Sequence, residues 1–323
     1  MNELKKDYVG DQACRFGTQP AGGAMLIWEI TNVCNLECLH CCTTSGPLVS
    51  ATNEVDDESV FRAIDDFRSV SVKEVMFSGG EPFLRISLMG FIERAVDSGA
   101  DVYIASNGTL ITKKIAQDLA DYSIKRLDIS LDGDVSKIHQ EVRLHPAAFD
   151  RTIRGIVACV EQNVPLRVST VVTPNNYSRV EKLIGVLINL GVTSVVVNCV
   201  QGASGRAAEN PHLSIESVPE DSIRRVLEQA IDKYGKLIRI DCRLFQEYSS
   251  APTGCPAGKS VLHIAPNGDV SPCSWLYKLD RERFTLGNIK TDSFAECVGH
   301  SGSLLQPLVR QTSGCVIPYV NSR

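Results

Sequence analysis

Cys34-Asn-Leu-Glu-Cys38-Leu-His-Cys41 decides how the rest of the chain is read. Its three cysteines follow closely on an apolar run, Ala24 to Ile30. Thiolates at this spacing can turn toward one point on a tight loop. A closed structural zinc site takes four ligands, and a ferredoxin-type cluster is likewise held by four cysteines. Three leave one metal position open. A small chelating molecule can bind there, which makes the arrangement catalytic. The plain alternative is a zinc knuckle completed by Cys42 or His40.

Two later stretches shift the balance. Ser78-Gly79-Gly80-Glu81-Pro82 follows the apolar run Glu74 to Phe77, and Ser130-Leu-Asp132-Gly133 follows Arg126 to Ile129. Together with the cysteine triplet, this set resembles the radical S-adenosylmethionine (SAM) superfamily. That family's signature is a C-x3-C-x2-C loop with an aromatic before the last cysteine, a place His40 fills here. The resemblance runs from about Leu26 to the C-terminus.

Composition sets the bounds. The chain has 323 residues, 43% of them hydrophobic, enough to bury a sizeable core. A net charge of −5 gives no electrostatic argument for nucleic acid or an anionic membrane. No run of apolar residues is long enough to span a bilayer, and Met1 to Asp11 is polar and charged, unlike a signal peptide. A cytoplasmic protein is expected. Its twelve cysteines then read as metal ligands or reactive thiols, not disulfides. Cys159 and Cys199 lie in apolar runs and read as small buried hydrophobes.

Taken in order, residues 1–23 form an N-terminal segment without clear periodicity. Strands are expected at Ala24 to Ile30, Glu74 to Ser78, Val102 to Ala105, Arg126 to Ser130, Leu166 to Val172 and Ser194 to Cys199. Helices are expected from an Asn53 or Asp56 cap through Val70, then Leu88 to Ser98, Thr112 to Tyr122, Phe149 to Glu161, Ser178 to Leu190 and Pro219 to Tyr234. Six alternations imply parallel strands with right-handed crossovers. The expected fold is α/β, a partial (β/α)6 barrel over residues 24–236, with a small hairpin-containing extension over 237–323. In such barrels the site lies at the carboxyl ends of the strands. The cysteine loop, Gly79-Gly80-Glu81, Ser106-Asn107 and Ser130-Leu-Asp132 all fall there.

The resemblance assigns roles. Cys34, Cys38 and Cys41 would hold a 4Fe-4S cluster whose fourth iron takes SAM, and one electron would then release a 5′-deoxyadenosyl radical. Gly79 and Gly80 let the backbone approach the methionine moiety, and with Glu81 they suit its ammonium. Ser106 and Asn107 share that rim. Ser130 and Asp132 are similar to residues that hold the ribose and carboxylate. Arg143 suits the SAM carboxylate, though a plain surface arginine is the alternative. His40 would flank the adenine. Asn198 and the Gly202-Ala-Ser-Gly205 turn would also contact adenine, or else form an ordinary glycine-rich loop.

Further on, Cys255 and Cys273 bracket Val261-Leu-His-Ile-Ala265, Asn267-Gly268 and Asp269-Val-Ser271, which read as a β-hairpin. This region resembles the SPASM/twitch extension, which holds an auxiliary iron–sulfur cluster. Cys255, Cys273 and Cys315 are the expected ligands, with Cys297 as a fourth or else an uninvolved helix residue. The cysteine pair that often ends such regions is incomplete, since Val316, Ile317 and Pro318 follow Cys315. Cys297 and Cys242 are the candidate thiol hydrogen donors should the enzyme epimerise its substrate.

The resemblance implies hydrogen abstraction from a peptide or peptide-derived substrate, ending in cross-linking, epimerisation or oxidation. Aminocyclitols, sugars and haem precursors are the alternatives, and a non-catalytic iron–sulfur scaffold is the rival of another class. The stretch ahead of Ala24 is too short for a separate peptide-recognition domain, which weighs against a peptide. Ile27-Trp-Glu-Ile-Thr31 and Asn107-Gly-Thr-Leu-Ile-Thr112 resemble haem-pathway members. The expected electron donor is a flavodoxin or ferredoxin.

Overall fold

The structure, a computed structural model, describes residues 23–200, 204–242, 244 and 255–299. Cys315, residues 1–22 and the first half of the Gly202–Gly205 turn lie outside the described residues. Strands and helices alternate: β1 (Ala24–Thr31), α1 (Asp57–Asp65), β2 (Val72–Gly79), α2 (Leu88–Asp97), β3 (Asp101–Ser106), α3 (Lys113–Asp121), β4 (Arg126–Ser130), α4 (Ser136–Arg143), α5 (Ala148–Glu161), β5 (Leu166–Val172), α6 (Val180–Asn189) and β6 (Ser194–Cys199). Then come α7 (Gly205–Glu209), α8 (Glu220–Tyr234), β7 (Arg239–Cys242), β8 (Val261–Ile264), β9 (Asp269–Ser271), α9 (Ser274–Leu279), α10 (Arg281–Phe284), β10 (Gly287–Asn288) and α11 (Phe294–Gly299).

The chain divides into two compact units. One takes Met1–Asn32, Ser50–Tyr103 and Gln246–Arg323, and the other takes Val33–Val49 and Ile104–Phe245. The division falls within β3.

In the first unit the strand order is β10-β9-β8-β1-β2-β3. β1 is parallel to both β2 and β8, with Trp28 opposite Phe77 and Ile264. Alternation along β1 sorts its side chains. Leu26, Trp28 and Ile30 are fully buried, and Trp28 packs with Phe67 and Phe77. Glu29 faces the other way, beside His263 and Lys278. Its Oε1 is 2.7 Å from Lys278 Nζ, and its carboxyl is held down to about 2. Burial opposes that charge, but His263 and Lys278 outweigh it. The expected hairpin exists: β8 and β9 are antiparallel, with Gly268 at φ +92° in its turn. Helix α1 starts where expected, because the Asp56 carboxylate accepts the Ser59 N–H at 2.8 Å.

In the second unit β4, β5, β6 and β7 run parallel in sequence order. Leu127, Ile129 and Val168 are fully buried on the face that α5 covers. Three elements depart from the expected set. Helix α4 has only Ile138 and Val142 as apolar anchors and no side-chain cap, and it stops at Leu144 with φ +53°. β7 adds a seventh parallel strand, and α7 replaces part of the expected turn.

Candidate active site

The cysteine loop and the residues around it sit within the second unit. Cys34 and Cys38 pack with Leu36, Ala148 and the partly buried Cys41 in one patch. Each thiol meets a side-chain polar atom. Asn107 Nδ2 is 3.8 Å from Cys34 Sγ, Arg143 Nη1 is 3.7 Å from Cys38 Sγ, and Thr43 Oγ1 is 3.2 Å from Cys41 Sγ. Burial works against the Cys41 thiolate, but the Thr43 and Ser45 hydrogen bonds and the Arg206 charge outweigh it and lower its pKa. Burial prevails at Cys38, whose pKa rises despite Arg143. Three gathered thiols with N–H and O–H partners suit an iron–sulfur cluster, whose sulfurs accept such bonds.

Arg143 stands at the end of α4. Its Nε and Nη2 both lie 2.7 Å from Asp132 Oδ2. The other carboxylate oxygen of Asp132 accepts the Val171 N–H at 2.9 Å. Both Asp132 oxygens are thus held, and the carboxylate positions Arg143 beside Cys38. Burial opposes its charge, yet Arg143 outweighs that and holds the carboxyl at about 2. Both histidines here are neutral at neutral pH. Burial, then Arg143, pulls His40 and His139 down to about 4. His40 Nε2 lies 3.9 Å from Asp132, so with a neutral ring this is no ion pair. His40 Nδ1 is buried without a hydrogen-bond partner. An orphaned acceptor or donor beside the cysteine loop fits a ligand such as SAM.

Among the other expected residues of this unit, Asn107 bonds Asn35 Oδ1 at 2.9 Å and accepts from Thr109. Ser106 Oγ accepts the Gly108 N–H. Ser130 and Ser169 form a register pair, and Asn198 Nδ2 donates to Ser169 Oγ at 3.0 Å.

Further side chains that hold this loop and Asp132 escape sequence reasoning. Arg206 of α7 donates to Cys38 O at 2.9 Å and to Ser45 O at 2.5 Å. Beside it, Ser204 donates to Cys42 O and the Ala207 N–H to Cys41 O. Asn210 reaches Leu39 O. Gly205 is needed there, because a Cβ would lie 2.5 Å from Cys41 O at φ +62°. The loop's carbonyls are thus clamped by a short helix far along the chain. Asn176 holds Asp132 O at 2.9 Å, and His139 Nδ1 accepts the Asp132 N–H at 3.1 Å.

The first unit carries the glycine motif. Gly79 has φ +118°, and the Gly80 N–H donates to Thr31 O at 2.7 Å. A Cβ at Gly79 would lie 2.3 Å from Thr31 O, so glycine is what lets β2 end this close to β1. Glu81 is fully buried and accepts the Phe83 N–H at 3.2 Å, capping the turn that begins at Pro82. At the hairpin base, the Gly258 N–H donates to Pro272 O at 3.0 Å, which draws the Cys255 and Cys273 segments together.

Register sets the direction of the two candidate donor thiols. Cys242 pairs with Val197, on the face of Val168, away from Asn198 and Ser169. Cys297 is buried, and its Sγ touches Gly287 of β10. Gly287 pairs with Val270, which pairs with Ile264, which pairs with Trp28. Cys297 therefore lies on the Trp28 face, opposite His263 and Ser271. Burial, then Asp292, pushes its thiol up to about 11. The geometry supplies no argument for either thiol as a hydrogen donor.

Comparison with known proteins agrees with this layout. Residues 28–187 match the Radical SAM superfamily, and residues 255–306 match SPASM, an iron–sulfur cluster-binding domain. The chain is a radical SAM enzyme with a C-terminal SPASM region. These domains carry a SAM-binding 4Fe-4S cluster and auxiliary cluster chemistry. It is 28% identical to an AdoMet-dependent heme synthase of Methanosarcina barkeri, over 84% of this chain and 81% of that protein. It is 27% identical to the mycofactocin maturase MftC of Mycolicibacterium smegmatis, over 88% of this chain and 71% of the maturase. Streptococcus suis SuiB bound to SAM superposes with a TM-score of 0.69 at 19% identity, over 85% of this chain and 65% of SuiB. SuiB has also been solved with its precursor peptide SuiA. The shared fold is the partial barrel of this superfamily. No described helix is long and apolar enough to cross a membrane.

Proposed function

We propose that this enzyme abstracts a hydrogen atom from a peptide or peptide-derived substrate and thereby oxidises, cross-links or epimerises it. The observation that carries the radical chemistry is the buried patch of Cys34, Cys38 and Cys41, each thiol with its own polar partner. These three residues would hold the SAM-binding cluster, which supplies one electron for cleavage of the SAM sulfonium bond. Asn107, Arg143 and Thr43 orient the sulfurs, and Arg206 fixes the loop that carries them. In the second unit the orphaned nitrogen of His40 would meet the ligand; in the first, the Gly79–Gly80 backbone keeps its expected part in SAM binding. Cys255, Cys273 and Cys315 would hold the auxiliary cluster, with an electron donor of the flavodoxin or ferredoxin type.

The likeness to a mycofactocin maturase and to peptide-binding SuiB supports the peptide reading. A haem precursor is the second reading, favoured by the likeness to heme synthases. Iron analysis of anaerobically reconstituted protein tests the cofactor assignment. About eight irons per chain are expected if both sites carry four-iron clusters, and about half of that after Cys34, Cys38 and Cys41 are all changed to Ala. Only about four irons in the unmutated protein would remove the auxiliary cluster. Substrate-dependent 5′-deoxyadenosine release, with peptides against coproporphyrins, separates the two readings.

A further inference from the structure

The peptide by which the chain leaves β1, between Thr31 and Asn32, is gripped on both of its polar sides. Its carbonyl oxygen, on Thr31, accepts the Gly80 N–H at 2.7 Å. Its N–H, on Asn32, donates to Glu54 Oε1 at 2.8 Å. The same carboxylate oxygen accepts the Thr31 hydroxyl at 2.6 Å. A peptide unit is planar and stiff, so holding its N–H also sets the direction of its carbonyl. Glu54 therefore aims the acceptor against which the Gly79–Gly80 turn closes. That closure has no slack, since Thr31 O is the very atom a Cβ on Gly79 would strike. Glu54 is itself held fast. Its N–H donates to Ala51 O at 2.9 Å, and the Val55 N–H donates to Pro266 O at 2.8 Å in the β8–β9 turn. Its second oxygen takes Arg85 Nη1 at 3.3 Å, while Arg85 also donates to Val55 O at 2.7 Å and to Asp57 Oδ1 at 3.2 Å. The Glu54 side chain is only 8% exposed. A carboxylate so buried is costly unless its hydrogen bonds are made, and both of its oxygens make them here.

We propose that Glu54 is a positioning residue for SAM: by orienting the Thr31–Asn32 peptide, it holds the Gly79–Gly80 backbone in the conformation that receives the methionine moiety. The proposal rests on the radical SAM reading and on the expected part of Gly79 and Gly80 in SAM binding. Reach, not charge, is what the role demands. An oxygen must stand at the end of a side chain of glutamate length to accept from both Thr31 and Asn32. Glutamine keeps that oxygen and loses the charge, whereas aspartate keeps the charge and withdraws the oxygen by about one methylene. A carboxylate present only to neutralise Arg85 would rank the two the other way.

The test is a calorimetric titration of SAM into anaerobic, iron-reconstituted full-length protein, as wild type and as four variants. Glu54→Leu and Glu54→Asp should each bind SAM about tenfold more weakly at unchanged iron content. Glu54→Gln should stay within about threefold of wild type. Asp57→Asn loosens the same Arg85 without touching Thr31 or Asn32, and should bind SAM as wild type does. In reductive SAM cleavage the KM for SAM should rise in Glu54→Asp while kcat stays within about twofold. Wild-type affinity in Glu54→Asp, an Asp variant that binds better than the Gln variant, or an equal loss in Asp57→Asn each overturns the positioning role. The Gln and Asp variants decide the matter even where Glu54→Leu does not fold. No 5′-deoxyadenosine from the wild type would instead overturn the radical SAM reading, so the two failures are distinct.

Discussion

Replacing Gly79 with alanine separates two costs that one substitution usually merges. Gly79 and Gly99 both have positive φ, +118° and +88°. A Cβ at Gly99 meets nothing within 4 Å, whereas at Gly79 it lands 2.3 Å from Thr31 O. Gly99→Ala therefore bears only the backbone penalty of about 1–3 kcal/mol. Gly79→Ala adds overpacking of about 1–3 kcal/mol, because a carbonyl cannot swing aside as a flexible side chain does. The displaced carbonyl is also the acceptor for the Gly80 N–H. Urea unfolding of both variants should show Gly79→Ala less stable than Gly99→Ala by about 1–3 kcal/mol. Calorimetry should show its SAM affinity at least about tenfold weaker, while Gly99→Ala keeps wild-type affinity. Two variants within about 0.5 kcal/mol of each other, with SAM affinity intact in both, would refute the demand for glycine beside Thr31 and its link to SAM binding.

Two further predictions concern the loop's surroundings. His40 and His139 are held at about 4 when folded, against about 6.5 when unfolded, so the folded state binds fewer protons between those values. Their penalty is absent above pH 6.5 and grows as pH falls. Urea midpoints at pH 7.5 and 5.5 should reveal a loss of about 1 kcal/mol for each histidine, with His40→Gln removing its share. Arg206→Met removes charge-assisted bonds to Cys38 O and Ser45 O, each worth about 1.5–3 kcal/mol. The reconstituted variant should lose iron to a chelator at least about tenfold faster than wild type; an unchanged rate would make α7 a bystander.

Much of this fold is written locally. β4, β5 and β6 begin and end where their apolar alternation does. Thr112 caps α3 through the Ile115 N–H, which a sequence shows plainly. Helix α4 is illegible because tertiary contacts hold it: Arg143 is buried on Asp132, and Leu39 N–H bonds Val142 O. The motif residues were legible, but not all their partners. Asp132 reads as a SAM contact, but nothing in the sequence shows that its two oxygens also accept from Arg143 and Val171. The Arg206 clamp joins residues more than 160 positions apart, which no local pattern reveals. Cys242 and Cys297 turn on register alone, since a slip of one residue would reverse the face each meets.

The central claim is that Cys34, Cys38 and Cys41 make this chain a SAM-cleaving enzyme. The most direct measurement is 5′-deoxyadenosine formed from SAM by the reconstituted, dithionite-reduced protein and by its Cys38→Ala and Cys42→Ala variants. The wild type and Cys42→Ala should produce 5′-deoxyadenosine, because Cys42 lies outside the patch that gathers the other three. Cys38→Ala should produce none above background. Full 5′-deoxyadenosine formation by Cys38→Ala, or none by the iron-loaded wild type, would contradict the account.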